Sequence, residues 1–378
     1  MALVLLGCCG VVIATAGNGP PTREPVDGSR RDDAAASPRR PAASRRLGRL
    51  PARFDVQAHR GGLGLVTEST LEAFANALEI GVTTIELDVR LTEDRQPIVT
   101  HDRRVSGIKC RETGAAVAGD PEFPYVGDLI MRLSVAQIKT LDCGRRQLAG
   151  FPRQRVVANA RMPLLREVFA LVDCHGDDAV RFSIDPKFPA ATPRESAPRR
   201  RLVRVVAREV RHARLLDRVA IASVDWGVLM QMRKQEPRLP IVAASHPRFM
   251  QAGKTGASPW LGGIDIDDFH GGLVEAAASF GADAIAPVHG TPEDGGPGDK
   301  GYTALTTRRL VKRAHRAGLR VVPWTVDDRA SMRHLIDVGV DGIITDYPDR
   351  LRAVIVQRGL RAPPARTPAS PRDRRCLP

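Results

Sequence analysis

Between residues 54 and 349 the apolar positions follow two alternating rhythms. Short runs rich in β-branched residues are each followed by a stretch with helical spacing. The runs predict strands at 55–59, 84–90, 97–101, 180–185, 218–223, 240–244, 283–287 and 319–325, with a further short strand or turn at 341–344. The helical stretches are 71–80, 134–140, 164–173, 196–212, 225–236, 271–280, 303–317 and 328–338. Ser69, with Glu72 three residues on, predicts a capping box that opens the first helix. Gly81 and Gly318 fall where helices should stop.

Alternating strand and helix implies a parallel sheet covered by helices. About eight strands in about 290 residues favour a closed (β/α)8 TIM barrel, an α/β fold. An open doubly wound sheet is the alternative, but no GxGxxG follows the first strand. The stretch 102–162 breaks the rhythm after the third strand. It is rich in Gly, Pro and Arg and reads as a loop-rich insertion over one barrel face.

Composition adds limits. Of the 378 residues, 43% are hydrophobic but only 4% aromatic, so aliphatic side chains must fill the core. The net charge of +14 suggests a polyanionic partner. Its placement argues otherwise: residues 1–53 carry +5 and residues 350–378 carry +7. Both ends are rich in Pro, Ala and Arg, a composition that cannot bury a core. A disordered linker is therefore expected at 17–53, a folded domain at 54–352 and a disordered basic tail at 353–378. The ends suit weak association with an anionic membrane or cell wall, and no specific nucleic acid.

Residues 1–16 form an apolar run too short to span a bilayer, ending in Ala14-Thr15-Ala16. This is the pattern of a signal peptide, although the usual basic start is missing. Leu5-Leu6-Gly7-Cys8 also fits a lipoprotein box, so secretion or envelope attachment is expected. Export permits disulfides. Cys110 and Cys143 flank one loop-rich stretch and are expected to pair. Cys174 is expected as a buried free thiol, and Cys376 lies in the tail. No CxxC pair is present, which argues against a zinc site.

The candidate chemistry sits at strand ends. His59-Arg60-Gly61-Gly62 closes the first strand. Glu86 and Asp88 are one residue apart on a strand, so they share a face opposite Ile85, Leu87 and Val89. Two carboxylates inside a barrel need a cation, and a hard divalent metal takes oxygen ligands. If the runs pair antiparallel about TEDRQ, His101 lies opposite Asp88, or a residue or two away in another register, and brings an acid/base group beside them. Asp185 and Lys187 share a face at another strand end, and lysine is rare here: seven against fifty arginines.

Taken in order, HRG, EST-LEAF, E-L-D, D-x-x-P-I-V-T-H-D and D-P-K resemble the glycerophosphodiester phosphodiesterase family. Met162-Pro163-Leu164-Leu165, Ser223-Val224-Asp225, Pro323-Trp324-Thr325-Val326 and the run Gly339–Asp346 agree. The resemblance implies a phospholipase-C-like TIM barrel using Ca2+ or Mg2+ to cleave glycerophosphodiesters to glycerol 3-phosphate and an alcohol. It implies Glu86, Asp88 and Asp185 as metal ligands, Asp185 standing where the family usually has Glu. It further implies His59 and His101 as the acid/base pair, with Arg60 and Lys187 holding the phosphate. Glu68 and Trp324 become supporting residues, and Asp327 replaces a family Asn. Phospholipase D action on lysophospholipids or sphingolipids shares these motifs. A non-catalytic envelope or polyanion-binding module is the further alternative.

Overall fold

The computed structural model describes residues 50–51, 53–176 and 178–366. The expected signal peptide, Cys8, Cys9 and Cys376 lie outside them. The strands are β1 (Asp55–Ala58), β2 (Thr84–Leu91), β3 (Pro97–Val99), β4 (Arg181–Pro186), β5 (Val219–Ser223), β6 (Ile241–Ser245), β7 (Ala284–Pro287), β8 (Gly290–Thr291), β9 (Thr303–Ala304), β10 (Arg320–Val321) and β11 (Gly342–Thr345). The α-helices are α1 (Leu71–Ile80), α2 (Val135–Ile138), α3 (Leu165–Cys174), α4 (Arg199–His212), α5 (Trp226–Gln235), α6 (Pro247–Met250), α7 (Leu273–Ser279), α8 (Arg308–Arg316), α9 (Arg329–Val338) and α10 (Pro348–Gln357).

Eight parallel strands run in the order β10-β7-β6-β5-β4-β2-β1-β11. The two ends meet through Asp341 N–H to Val321 O (2.9 Å), Ile344 N–H to Pro323 O (3.0 Å) and Val326 N–H to Ile344 O (3.0 Å). The expected barrel is thus present, its last seam thinner than the others. Strand alternation sets its two faces. Ile85, Leu87 and Val89 point outward into one core with Phe74 and Leu78 of α1. Each such fully buried side chain contributes about 1.5–3 kcal/mol. The interior face instead carries Ala220, Ala222, Val242, Ala284 and Ala286. These small side chains leave room inside the mouth. Leu50 packs against the same cluster, so the end of the expected linker belongs to the fold.

Several expectations change. Thr70, not Ser69, caps α1, and its hydroxyl accepts from Ala73 N–H at 3.1 Å. The third helical residue is then Ala73, and no capping box with Glu72 forms. The helix expected from 303 begins at Arg308 behind Thr307, because 303–304 pairs with 290–291 in a hairpin. β10 is shorter than 319–325. The tail expected from 353 is in part helical: α10 runs to Gln357 and packs on β1 and α1. Arg366 N–H still donates to Leu78 O at 2.9 Å. Cys174 is exposed and disulfide-bonded, not a buried free thiol.

The insertion holds a core of its own, with Val105, Tyr125, Ile130, Leu133, Ile138 and Leu141 around a Cys110–Cys143 disulfide. It leans on the β1–α1 loop: Thr67 Oγ1 donates to Gly144 O (2.9 Å) and Gln154 Nε2 to Leu63 O (2.6 Å).

Thr70→Ala should lower stability by about 1 kcal/mol through loss of the cap. Ser69 has φ 57° and a buried hydroxyl without a hydrogen-bond partner among the described residues, so Ser69→Gly should cost nothing. Urea melts of the two variants check this; the reverse ranking would restore Ser69 as the cap.

Candidate active site

The chain leaves β1 through a tight turn at His59–Gly61. Arg60 has φ 50° and ψ 33°, a left-handed conformation that costs a non-glycine residue about 1 kcal/mol or more. Its N–H donates to Glu86 Oε2 at 3.0 Å, and its guanidinium meets Glu68 Oε2 and Asp88 Oδ2, each at 3.0 Å. Gly61 must follow, since a Cβ there would stand 2.9 Å from the Ala73 backbone.

β2 and β4 pair with Asp88 opposite Asp185 and Glu86 opposite Ser183. Glu86, Asp88 and Asp185 are therefore neighbours on the interior face, and all are buried. Lys187 Nζ bridges Asp88 Oδ1 (3.3 Å) and Asp185 Oδ2 (3.1 Å). Ser223 Oγ donates to Asp185 Oδ1 at 3.0 Å. The β2–β3 register places Thr100, not His101, opposite Asp88: Thr100 N–H donates to Asp88 O at 3.0 Å. The one-residue slip leaves His101 just past β3, where the Arg90 guanidinium donates twice to its carbonyl, at 2.9 and 2.7 Å.

Both histidines are braced in the same way. His59 Nδ1 bonds Asp346 Oδ1 at 2.6 Å, and His101 Nδ1 bonds Asp102 Oδ1 at 3.0 Å. A carboxylate on Nδ1 fixes the ring and leaves Nε2 for chemistry. Burial draws the His59 pKa down, but Asp346 overcomes it and the net direction is up. Burial and then Lys187 push His101 down to about 4. The two rings are thus shifted in opposite directions.

Charge coupling extends to the acids. Burial and the adjacent Asp88 carboxylate raise Glu86 to about 7. Burial would raise Asp88 too, but Lys187 and Arg60 hold it well below the usual carboxylate range. Asp327, in place of the expected Asn, is raised to about 7 by burial and then by Asp346, whose N–H it accepts at 2.8 Å.

Three partners were not legible beforehand: Asp346, Asp102 and Lys109. Asp102 sits in the His-Asp pair itself and Asp346 ends a quoted motif, so both left a local trace. Lys109 left none. It comes from the insertion, 41 residues from Glu68, and its ammonium binds both Glu68 and Asp102 Oδ2, the latter at 2.8 Å. One cation thereby braces the supports of Arg60 and of His101.

A cavity of about 270 Å³ unites these groups. His59, Arg60, Glu86, Asp88, His101, Asp185 and Lys187 line one half, and Ala222, Val224, Ala244, Ala286 and Trp324 the other. Trp324 also anchors itself by Nε1 to Ala286 O at 2.7 Å, so it is wall and packing at once. Glu68 stands behind Arg60 and does not line the cavity. Among the described residues no three His, Cys, Asp or Glu side chains are already spaced as a metal shell. The donor chemistry nevertheless fits a hard cation: three buried carboxylates and no sulfur. Asp88 Oδ2 is buried and, beyond its ion pair with Arg60 Nε, accepts no aligned hydrogen bond among the described residues.

The sequence profile of the glycerophosphoryl diester phosphodiesterase family matches residues 59–350. The chain belongs to that family. It is 28% identical over 309 residues to a glycerophosphodiester phosphodiesterase of Caldanaerobacter subterraneus, covering 80% of this chain and 98% of that protein. The crystal structure of a candidate family member from Silicibacter pomeroyi is 30% identical with a TM-score of 0.66, covering 83% and 97% of the two chains. A human lysophospholipase D is 23% identical over 305 residues, 78% of this chain and 84% of that one.

Lys187→Met would strand Asp88 and Asp185 without their shared ammonium. In metal-free protein it should lower stability by about 3–5 kcal/mol, the cost of breaking a buried ion pair from one side. Thermal melts in chelator would show this, and an unchanged transition would contradict the bridging role.

Proposed function

We propose that this protein hydrolyses glycerophosphodiesters to glycerol 3-phosphate and an alcohol, with a divalent cation, Ca2+ or Mg2+, held by Glu86, Asp88 and Asp185. The observation that carries the reading is the pair of imidazoles, each braced on Nδ1 by a carboxylate, beside Arg60 and Lys187 in one cavity. A bound cation would supply positive charge to a phosphoryl oxygen and hold the three carboxylates ionised. Lys187, which bridges Asp88 and Asp185, offers its ammonium to the phosphate as a point charge. Arg60, fixed by Glu68, offers its planar fork to a second oxygen. One histidine accepts a proton from the nucleophile through Nε2, and the other donates one to the leaving alkoxide.

Lysophospholipase D action is the second reading, favoured by the apolar half of the cavity. Choline release from glycerophosphocholine against lysophosphatidylcholine separates the two. Residues 1–16 make export to the cell exterior or envelope the proposed location, and the Cys110–Cys143 disulfide supports an oxidising compartment. The basic ends are the proposed contact to anionic wall or membrane.

The full chain should turn over glycerophosphodiesters with Ca2+ or Mg2+ and stop in excess EDTA. His59→Ala and His101→Ala should each reduce turnover about a hundredfold or more, with the circular dichroism unchanged. Near-wild-type rates in both would sink the assignment. Lys109→Met should also slow turnover, and Lys109→Arg should restore most of it. Added Ca2+ or Mg2+ should recover melting temperature lost in Lys187→Met; no recovery with either would count against the cation site.

A further inference from the structure

The cavity's two halves differ in charge accounting as well as polarity. On the polar half every lining carboxylate has a cationic or imidazole neighbour: Glu86 lies 4.0 Å from His59, and Asp88 and Asp185 share Lys187. On the apolar half one charged side chain remains, Arg248, carried on the short helix α6 after β6. Among the described residues no carboxylate contacts its guanidinium. Glu293, an acid on the facing loop, is held by His246 Nε2 at 2.8 Å.

Arg248 is also braced. Its guanidinium carbon lies 4.8 Å from the centre of the Phe249 ring, and Phe249 packs on Trp260 at 4.6 Å between centroids. A guanidinium stacked on a supported ring keeps its N–H fork free for an anion. Arg248 lines the same cavity as Arg60 and Lys187, and the small side chains of Ala222, Ala244 and Ala286 line it too.

We propose that Arg248 is a specificity subsite for a negative group on the alcohol half of the substrate. This rests on the phosphodiesterase reading and deepens it. The phosphodiester sits at Arg60 and Lys187, the linking carbons cross the alanine floor, and a second phosphate or a carboxylate meets Arg248. A quaternary ammonium in the same place would face a like charge, so choline esters are the disfavoured class.

The test uses the full chain and three diesters: bis(glycerophospho)glycerol, whose alcohol is anionic, glycerophosphoglycerol, whose alcohol is neutral, and glycerophosphocholine. The wild-type kcat/KM should fall in that order. Arg248→Gln should shrink the anionic-to-cationic ratio by about tenfold, the size of one charge-assisted contact. Arg248→Lys should keep part of it, and Arg248→Glu should reverse the order. Ratios unchanged in Arg248→Gln and Arg248→Glu would overturn the subsite while leaving the activity standing. Failure of the wild type on all three would overturn the activity instead. Calorimetric binding of the same diesters to wild type and Arg248→Glu then decides the subsite: a wild-type ranking that reverses in Arg248→Glu supports it, and the same ranking or equal affinities in both remove it.

Discussion

Three carboxylates on the interior face of two neighbouring strands dominate this molecule. Glu86, Asp88 and Asp185 are buried where isolated charge is expensive. Everything around them answers that cost. Lys187 spans two of them, Arg60 reaches Asp88 from a left-handed turn, and the β1–α1 loop is shaped by that reach. The glycine after Arg60 and the strained backbone at Arg60 follow from the same requirement.

The rest of the barrel supplies a contrast. The outward face is filled by large aliphatic residues and carries the stability. The inward face of β5, β6 and β7 is alanine except for Val242, so it contributes little burial but opens space beside the charges. Stability and chemistry are thus divided between opposite faces of the same strands. The period-two alternation of a strand makes that division possible.

Much of this could be read from the chain because it is local. The barrel follows from alternating rhythms, and Glu86-x-Asp88 and Asp185-x-Lys187 follow from strand pleat. What escaped reading depended on register or on distant pairing. His101 missed its expected partner by one residue because Leu91 pairs with Pro97 across the TEDRQ turn, a register that sets Thr100 opposite Asp88. Ser69 lost the cap to Thr70 because Ser69 itself takes the left-handed position. Lys109 and Asp346 bond across 41 and 287 residues, and no spacing rule reaches that far. The carboxyl-terminal helix was lost behind an arginine-rich composition, although Leu351, Val354 and Ile355 turn inward on it.

The pairing of β1 with β11 also sets an order of events during synthesis. Asp55–Ala58 aligns with Gly342–Thr345, and the carboxylate that orients His59 belongs to the next residue, Asp346. A chain emerging from the ribosome therefore makes its first strand early and leaves it with an open edge until nearly all the domain has been made. Long-range closure of this kind is slow. The ring at His59 gains its orientation in the same event that seals the barrel, so a nascent or truncated chain lacking those last residues has neither a closed sheet nor an oriented imidazole.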